Sequence, residues 1–278
     1  MILPFDLPAY LDRIALPHAP AADAAGLALV HRAHRLAIPF ENLDIPLGRG
    51  IRIDAPSVFA KLVTGRRGGY CFEQNSLFLA ALHALGFGTR PLLARVWLMA
   101  EATPPLTHTL NLVTIDGQDW IADAGFGGSF SPPMRLAEGF HNIAADGTAH
   151  RLIRQDDRTW MLERAGDPGP TDGRSASTHD WQPQYSFTLD PVEPVDLELS
   201  NHWTSTRPDT RFTTLKITSR VVEDGFVSLV DRRLSEHRNG EGQHRDITAL
   251  ADYRQVLTQQ MGLALSDAEV EHLFATRE

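Results

Sequence analysis

The stretch Arg67-Gly-Gly-Tyr-Cys-Phe-Glu-Gln-Asn75 contains the single cysteine of the chain, Cys71, directly after a Gly-Gly pair that permits a tight backbone turn. An apolar periodic segment follows at once, and its spacing predicts a helix that runs to about Gly86. Cys71 therefore stands in the first turn of a helix, where unpaired N–H groups and the helix dipole favour a thiolate, the nucleophilic form of cysteine. The alternative is a buried cysteine that only packs.

The composition is that of a globular protein with a large core. The chain has 278 residues, of which 42% are hydrophobic and 22% charged, and this length allows two or three subdomains. A single cysteine excludes an internal disulfide and a multi-cysteine metal site, and we expect no metal. The net charge of −9 argues against broad binding of nucleic acid, which requires a basic face.

The N-terminal sequence MILPFDLPAYLDRIAL has no basic region followed by a long apolar core, so we expect no secretory signal. No apolar stretch approaches the roughly 18 to 20 residues of a membrane span. We therefore expect no membrane association and a location in a reducing cytoplasm.

The predicted secondary structure changes near residue 88, from helices to mainly strands. Up to about residue 86 the pattern predicts helices, one of them opened by Asp54-Ala-Pro56. Beyond it, short apolar or alternating runs predict strands at 90–99, 107–115, 119–124, 150–163, 213–217 and 225–232, with helices near 195–201, 247–261 and 266–274. Residues 166–184 are expected to form an exposed loop, and His237 and His244 are expected to be solvated. The fold class predicted is α+β: a helical bundle, a mostly antiparallel sheet or barrel, and a mixed α/β region.

A base for Cys71 is predicted on a hairpin. Asp116-Gly117 is a strong hairpin turn, and counting outward from it places Leu110 opposite Asp123, with His108 about two residues further along. A diagonal cross-strand pair has that separation. An aspartate within an apolar strand is costly unless it is paired, although it can equally cap a turn or form a structural ion pair.

Five segments in the same order resemble motifs of the arylamine N-acetyltransferases. They are Ile38–Asp44, Arg67–Asn75, Thr107–Leu112, Asp123–Gly127, and Asn201–Pro208 with Phe212. Two departures are small: Ala124 stands where valine is common in the family, and Asp209-Thr210 replaces a more usual pattern before Phe212.

The resemblance implies a three-domain fold with a core like that of cysteine proteases and transglutaminases. The domains would be a helical bundle at 1–87, a β-barrel at 88–190, and an inter-domain helix with an α/β lid at 191–278. The resemblance also implies a ping-pong reaction in which acetyl-coenzyme A donates its acetyl group to an arylamine, hydrazine or arylhydroxylamine. Cys71 would be the nucleophile, His108 the general base and acid, and Asp123 the residue that orients His108.

Position and the resemblance together nominate binding residues. Those for the apolar acceptor pocket are Phe40, Val96, Phe126 and Phe130, with ordinary core packing as the alternative. Those for the pantetheine arm of coenzyme A are Thr109, Gly125, Phe126 and Gly127. For the phosphates, the best local basic cluster is Arg232, Arg233, His237 and Arg238, with a solvated charged face as the alternative.

Three other functions stay open from the sequence. The same three residues could serve a longer acyl donor or an amide synthase, and they could serve a cysteine hydrolase in which water outcompetes amines. A non-catalytic binding module on the same fold would leave Cys71 with ordinary reactivity. Monomer and homo-oligomer both stay open.

Overall fold

The computed structural model describes residues 5–128, 130–143, 147–174 and 180–276, and it begins with helices. These are α1 (Leu7–Arg13), α2 (Ala24–Ala37), α3 (Ala55–Phe59), which continues as a wider π turn over Ala60–Thr64, and α4 (Cys71–Ala84). The first three helices each begin after an aspartate whose side chain accepts a backbone N–H: Asp6, Asp23 and Asp54.

An eight-stranded antiparallel sheet follows α4 and curves into a nearly closed barrel. Its strands are β2 (Gly88–Val96), β3 (Leu106–Ile115), β4 (Gln118–Ala122), β5 (Met134–Arg135), β6 (His141–Ile143), β7 (Ala149–Arg154), β8 (Thr159–Ala165) and β9 (Gln182–Thr188). The order across the sheet is β5-β4-β3-β2-β9-β8-β7-β6. β9 pairs with both β2 and β8. Its first three residues lie in the stretch predicted to be an exposed loop, so that prediction is wrong for residues 182–184.

The predicted hairpin is present between β3 and β4. Ile115 pairs with Gln118, and the two turn residues Asp116 and Gly117 have φ of 49° and 76°. Positive φ at both central residues is the geometry of a type I′ hairpin turn, which glycine, asparagine and aspartate tolerate best.

The C-terminal region forms a second sheet with helices around it. Its helices are α5 (Pro194–Thr206), α6 (Arg211–Thr214), α7 (Leu250–Gln255), which continues as a π turn over Val256–Gln260, and α8 (Asp267–Ala275). Its strands are β10 (Ile217–Val222), β11 (Gly225–Val230), β12 (Arg233–Arg238) and β13 (Glu241–Asp246). A short strand from the N-terminal region, β1 (Phe40–Glu41), pairs with β10 at the edge of this sheet. The α+β class is thus confirmed, whereas the domain limits at 87 and 190 stay a prediction.

Two local expectations in this region are wrong. Residues 213–217 were expected to be a strand, but α6 occupies Arg211–Thr214, because the Thr213 hydroxyl accepts the backbone N–H of Thr210 at 3.2 Å and starts a helical turn. His237 was expected to be solvated, but it is buried in β12 with Nε2 3.1 Å from Oδ2 of Asp167.

The core places α4 between the helices and the barrel. Phe78 and Leu82 of α4 are fully buried in one cluster with Leu27 of α2, and with Val113 of β3 and Ala122 of β4. The helix that begins at Cys71 therefore packs directly on the hairpin that carries His108.

Candidate active site

The turn before α4 needs both of its glycines. A Cβ on Gly68 would lie 2.3 Å from the carbonyl oxygen of Pro39, and one on Gly69 would lie 2.8 Å from Cβ of Glu73. Neither distance is sterically accessible, so the backbone passes here only without a side chain. α4 then begins at Cys71, which is 3% exposed.

A buried cluster of charged side chains supports the first turn of α4. Lys61 Nζ lies 2.7 Å from Glu73 Oε1 and 2.8 Å from Asp44 Oδ2. Arg67 Nη2 lies 2.8 Å from Glu41 Oε1 and 3.1 Å from Asp44 Oδ1. Because buried charges are tolerated only when paired, the charged residues of the motif and of the segment at 38–44 have a structural part in holding the helix start.

His108 and Asp123 form the expected diagonal pair. The register Asn111 to Ala122 makes Leu110 and Asp123 the next positions along the hairpin, and His108 follows two residues later. His108 Nε2 lies 2.7 Å from Asp123 Oδ2, and both side chains are buried.

Asp123 is held in its ionised form. Burial alone would raise the pKa of its carboxyl, but burial is outweighed by the charge that His108 carries when protonated, by the hydrogen bond of His108 and by further hydrogen bonds, taken together. Asp123 Oδ1 accepts from Asn75 Nδ2 at 3.0 Å and from the Gly125 N–H at 2.9 Å. The resulting pKa is about 2, so the carboxylate accepts hydrogen bonds and does not donate them.

The buried setting of Cys71 opposes the thiolate that the start of a helix favours. Burial raises the pKa of Cys71 well above its ordinary value, the charge of Asp123 raises it further, and the N–H of Phe72 offsets only part of the rise. The thiol donates to the carbonyl oxygen of Thr107, with Sγ 3.7 Å from that oxygen. Since Thr107 directly precedes His108, the thiol lies beside the strand that carries the expected base.

Asn75 connects these elements, and the sequence reasoning gave it no role. Its Nδ2 donates to the Thr109 carbonyl at 2.7 Å as well as to Asp123. Its Oδ1 accepts the Ala124 N–H at 3.0 Å, and its own carbonyl oxygen accepts from Asn111 Nδ2 at 3.2 Å. The feature of the sequence that could have identified Asn75 is its position four residues after Cys71, on the same face of the helix.

Cys71 and His108 line one cavity of ≈ 390 Å³. The other lining residues are mostly apolar: Phe40, Val96, Leu98, Met99, Pro105, Thr107, Phe126, Arg174, Trp203, Thr204, Thr210, Arg211, Phe212 and Leu215. The ring of Phe126 stands edge-on to His108 at 5.2 Å, and Tyr185 packs on both rings at 5.1 and 5.0 Å. The imidazole is thus fixed by aromatic packing on one side and by a carboxylate on the other.

Three of the four residues nominated for the acceptor pocket line this cavity: Phe40, Val96 and Phe126. Phe130 does not, and that prediction is corrected. The glycine-rich turn after Phe126 carries the chain towards α2, where the ring of Phe130 packs 5.6 Å from that of His31.

Of the residues nominated for the pantetheine arm, only Phe126 is among those lining the cavity. Thr109 is buried in the sheet, where its hydroxyl donates to the Leu92 carbonyl at 2.8 Å. Gly125 lies against α4, and a Cβ there would stand 2.9 Å from Cα of Cys71. The positions of Thr109 and Gly125 therefore indicate packing.

Gly127 also has a packing reason to be glycine. Its φ is 79° and a Cβ would lie 2.7 Å from the ring of Phe40, while its carbonyl oxygen accepts from Ser219 Oγ at 2.8 Å. The glycine brings the barrel close to the edge of the second sheet.

Each member of the basic cluster nominated for phosphates has a partner within the protein. Arg233, His237 and Arg238 lie within 3.4 Å of Asp246, Asp167 and Asp224 respectively, and Arg232 donates to the Phe274 carbonyl. The cavity of Cys71 has instead Arg174 and Arg211, both of which lie beside Asp172. No spacing in the sequence pointed to this pair, because the loop before β9 brings Arg174 to the site.

Among the residues that the structure describes, no three His, Cys, Asp or Glu side chains are grouped so that they could hold a metal ion. A separate search of the same residues finds no helix with the length and apolar character to cross a membrane.

Comparison with known proteins places this geometry in a family. A family model described as N-acetyltransferase matches residues 23–270. The arylamine N-acetyltransferase of Escherichia coli K12 is 36% identical over 264 residues, which cover 94% of this chain and 89% of that protein. The solved arylamine N-acetyltransferase of Salmonella typhimurium superposes with a TM-score of 0.87 at 32% identity, over 97% of both chains. That of Mycobacterium marinum in complex with CoA gives a TM-score of 0.85 at 30% identity, over 97% of this chain and 98% of that one. With a family model over most of its length and relatives above 30% identity across nearly all of it, the chain belongs to the arylamine N-acetyltransferase family.

Proposed function

We propose that this enzyme transfers an acetyl group from acetyl-coenzyme A to the nitrogen of arylamines or hydrazines, with arylhydroxylamines as further acceptors, through an acetyl-Cys71 intermediate. The observation that carries the proposal is the joint placement of Cys71 and His108 in one cavity, with His108 bound to Asp123 at 2.7 Å. The solved relative that holds CoA supports the choice of donor.

The tautomer of His108 follows from its partner. Because Asp123 is ionised and can only accept, the hydrogen bond requires a proton on Nε2 of the neutral imidazole. Nδ1 then carries the lone pair and is the nitrogen that can take the Cys71 proton. The imidazolium formed in this way lies beside Asp123, whose charge stabilises it.

The first half-reaction moves the acetyl group from coenzyme A to Cys71. The Cys71 proton moves to His108 as Sγ bonds to the acetyl carbonyl carbon. The tetrahedral intermediate collapses by breaking the bond from carbon to the sulfur of coenzyme A, which leaves with the proton held by His108. One thioester replaces another, so the exchange is close to balanced in free energy.

The second half-reaction uses the same groups. The uncharged nitrogen of the acceptor bonds to the acetyl carbon of acetyl-Cys71, and His108 accepts a proton from that nitrogen. Collapse breaks the bond from carbon to Sγ, and the proton passes to Cys71, which restores the thiol. An arylamine is weakly basic and therefore uncharged near neutral pH, which suits this step.

The start of α4 supplies candidates for stabilising the oxyanion. The N–H groups of Phe72 and Cys71 are directed at the sulfur and lower the thiol pKa in part, and they belong to the helix end whose N–H groups lack intrahelical partners. One such donor is typically worth about 3 kcal/mol in the transition state.

Mass spectrometry tests the proposal most directly. After the enzyme is mixed with acetyl-coenzyme A and no acceptor, we expect one acetyl adduct on Cys71, which disappears when an arylamine or hydrazine is added. Cys71→Ala should carry no adduct and should not turn over. An unchanged turnover in Cys71→Ala would overturn the covalent route.

Two further outcomes would redirect the assignment. Decay of the adduct at the same rate with and without an amine would indicate a hydrolase. Turnover on a longer acyl thioester but none on acetyl-coenzyme A would indicate a different acyl donor.

A further inference from the structure

The cavity of Cys71 carries positive charge, although the chain as a whole has a net charge of −9. Arg174 and Arg211 line it, and no aspartate, glutamate or lysine is found among the described residues of its wall. A concave site with charges of one sign attracts ions of the opposite sign. The acetyl transfer derived above uses a thiol, an imidazole and backbone N–H groups, so it leaves both arginines without a role.

One carboxylate, that of Asp172, offsets only one of these two charges. Burial alone would raise the pKa of the Asp172 carboxyl, but the charges of Arg174 and Arg211 and the hydrogen bonds of Arg174 together lower it. Asp172 is therefore ionised, and two positive charges with one negative charge leave one positive charge. The Asp172 side chain is 6% exposed and is not part of the cavity wall, whereas that of Arg211 is 26% exposed.

Asp172 is bound mainly by Arg174, which leaves Arg211 the freer of the two cations. Both Nε and Nη2 of Arg174 lie 2.7 Å from Asp172 Oδ2. Arg211 reaches the side chain and the carbonyl oxygen of Asp172 through Nη2 alone, at 3.4 Å in each case. Within the described part of the chain, the Arg211 guanidinium has no other hydrogen-bond acceptor. It therefore keeps N–H donors for a further anion, and its planar fork suits a carboxylate.

The distance from the arginines to His108 corresponds to one aromatic ring. The guanidinium carbon of Arg174 lies 5.9 Å from the centre of the Phe126 ring. The centre of that ring lies 5.2 Å from the centre of the His108 imidazole. The Phe126 ring thus separates the positive charge from the base, and a second aryl ring placed along it would have one end at each.

We propose that Arg174 and Arg211 form an anion subsite for a carboxylate at the para position of the acceptor ring, so that the enzyme prefers para-aminobenzoates over their neutral analogues. This inference rests on the proposed acetyl transfer. The amine would face Cys71 and His108, and the ring would lie along Phe126. The carboxylate at the far end of the ring would accept hydrogen bonds from Arg211, with the charge of Arg174 beside it.

A phosphate of coenzyme A is the other anion with the chemistry to bind two arginines. In coenzyme A the whole pantetheine arm separates the sulfur from the first phosphate, whereas in 4-aminobenzoate a single ring separates the amine from the carboxylate. When the thioester is at Cys71, that arm has to leave a cavity of ≈ 390 Å³ before the phosphates begin. The spacing of one ring between Arg174 and His108 therefore favours the carboxylate of the acceptor.

The test compares kcat/KM for 4-aminobenzoate and for the neutral 4-aminobenzamide, with acetyl-coenzyme A held constant. In the wild type we expect a preference of about tenfold for the acid, mainly through KM, because a hydrogen bond to a charged group is worth at least that much. Arg211→Gln should bring the acid-to-amide ratio close to one. Arg211→Lys, which keeps the charge but not the planar fork, should leave a ratio of about three.

Two controls accompany these variants. In Arg211→Gln the Asp172 carboxylate keeps its fork with Arg174, and an unchanged kcat/KM for the amide would show that the fold and the triad are intact. Arg207→Gln removes an equal charge at an exposed position, where the guanidinium lies over the Trp203 ring at 5.2 Å and outside the cavity wall. Arg207→Gln should keep the wild-type ratio, since the proposal depends on contact and not on net charge.

A second measurement separates the carboxylate from a phosphate. The rate of Cys71 acetylation without acceptor is measured with acetyl-coenzyme A and with S-acetyl-N-acetylcysteamine, a thioester that has no phosphate. Arg211→Gln should change both rates by the same factor. Selective loss of the reaction with acetyl-coenzyme A, while the acid-to-amide ratio stays at its wild-type value, would assign Arg211 to a phosphate and overturn the inference.

The remaining outcomes separate this inference from the proposed function. No acetylation of either aminobenzene by the wild type would contradict the proposed function itself. Acetylation of both, with a ratio that Arg211→Gln leaves unchanged, would overturn only the anion subsite. A ratio that falls equally in Arg211→Gln and Arg207→Gln would show a general effect of charge and would also overturn the subsite.

Discussion

Asn75 Nδ2 lies 3.0 Å from Oδ1 of Asp123, and this hydrogen bond joins the helix that begins at Cys71 to the hairpin that carries His108. The same amide group also binds the backbone at Thr109 of β3 and at Ala124, two residues after the end of β4. One side chain therefore sets the position of α4 against β3 and the orientation of the carboxylate.

Replacing Asn75 with alanine should reduce kcat/KM by about 10- to 100-fold, since a hydrogen bond to a charged group is worth about 1.5 to 3 kcal/mol. The carboxylate would lose a donor, and the distance between the two elements would no longer be fixed. Steady-state kinetics on a simple arylamine would measure the change, and Asn142→Ala, on β6 outside the cavity, is the matched control. Equal kinetics for the two variants would show that Asn75 does not position the site.

Replacing Asp123 with asparagine should lower kcat by about 10³- to 10⁴-fold, because triads depend on the orienting carboxylate to this extent. The amide keeps the shape of the side chain but removes the charge that stabilises the imidazolium of His108. Single-turnover acetylation of Cys71, followed by mass spectrometry, would measure the step directly. A normal acetylation rate in Asp123→Asn would contradict the assigned role.

The difference in stability between the wild type and Asp123→Asn should depend on pH. The pKa of Asp123 is lowered to about 2 in the folded protein from 3.8, so the ionised carboxylate stabilises the fold above pH 3.8, and this contribution is lost as the pH falls towards 2. The shift corresponds to a contribution on the order of 2 kcal/mol. Urea unfolding of wild type and Asp123→Asn should therefore show a difference near pH 6 that shrinks below pH 4. A difference that does not depend on pH would indicate a packing effect alone.

Buried histidines behind the site should make the protein sensitive to mild acid. Burial lowers the pKa of His31 to about 4 and that of His34 to about 3, so both are neutral when folded but take up protons near pH 6.5 when unfolded. The contribution of these two histidines to the free energy of unfolding should therefore be fully present above pH 6.5. It should fall as the pH is lowered towards 4, by about 1.4 kcal/mol per pH unit for each histidine. His31→Gln should reduce that slope by one proton in urea titrations, and an unchanged slope would contradict this origin of the acid sensitivity.

Replacing Gly125 with alanine should disturb the site, whereas the same replacement at Gly128 should not. A Cβ at Gly125 would lie 2.7 Å from Asn75 Nδ2 and 2.9 Å from the Cys71 backbone, but at Gly128 the nearest atom is 3.7 Å away. Overpacking of this kind costs about 1 to 3 kcal/mol. Gly125→Ala should lower both the free energy of unfolding and the rate of Cys71 acetylation, and Gly128→Ala should match the wild type. Equal behaviour of the two would mean that α4 can move away from the turn at no cost.

Local rules were sufficient for the parts of the site that lie within one element. The Gly-Gly pair and the periodicity after it predicted a helix that begins at Cys71. The turn residues Asp116 and Gly117 predicted the register that brings His108 to Asp123. In both cases backbone sterics and short-range hydrogen bonds determine the outcome, and these depend on neighbours in the sequence.

Contacts between distant segments decided the rest. The sequence by itself determined the family motifs, the helix start at Cys71 and the hairpin pair. Only the tertiary structure decided that Asn75 joins them, that Gly125 and Gly127 serve close packing, and that Phe130 faces α2 while Arg174 and Arg211 reach the cavity. It also decided that Cys71 is buried, which raises the pKa of its thiol against the effect of the helix end that the sequence indicated. Desolvation and side-chain packing depend on which surfaces are in contact in the folded protein. Those contacts join residues that are far apart in the sequence, so they follow from the complete fold and not from local sequence patterns.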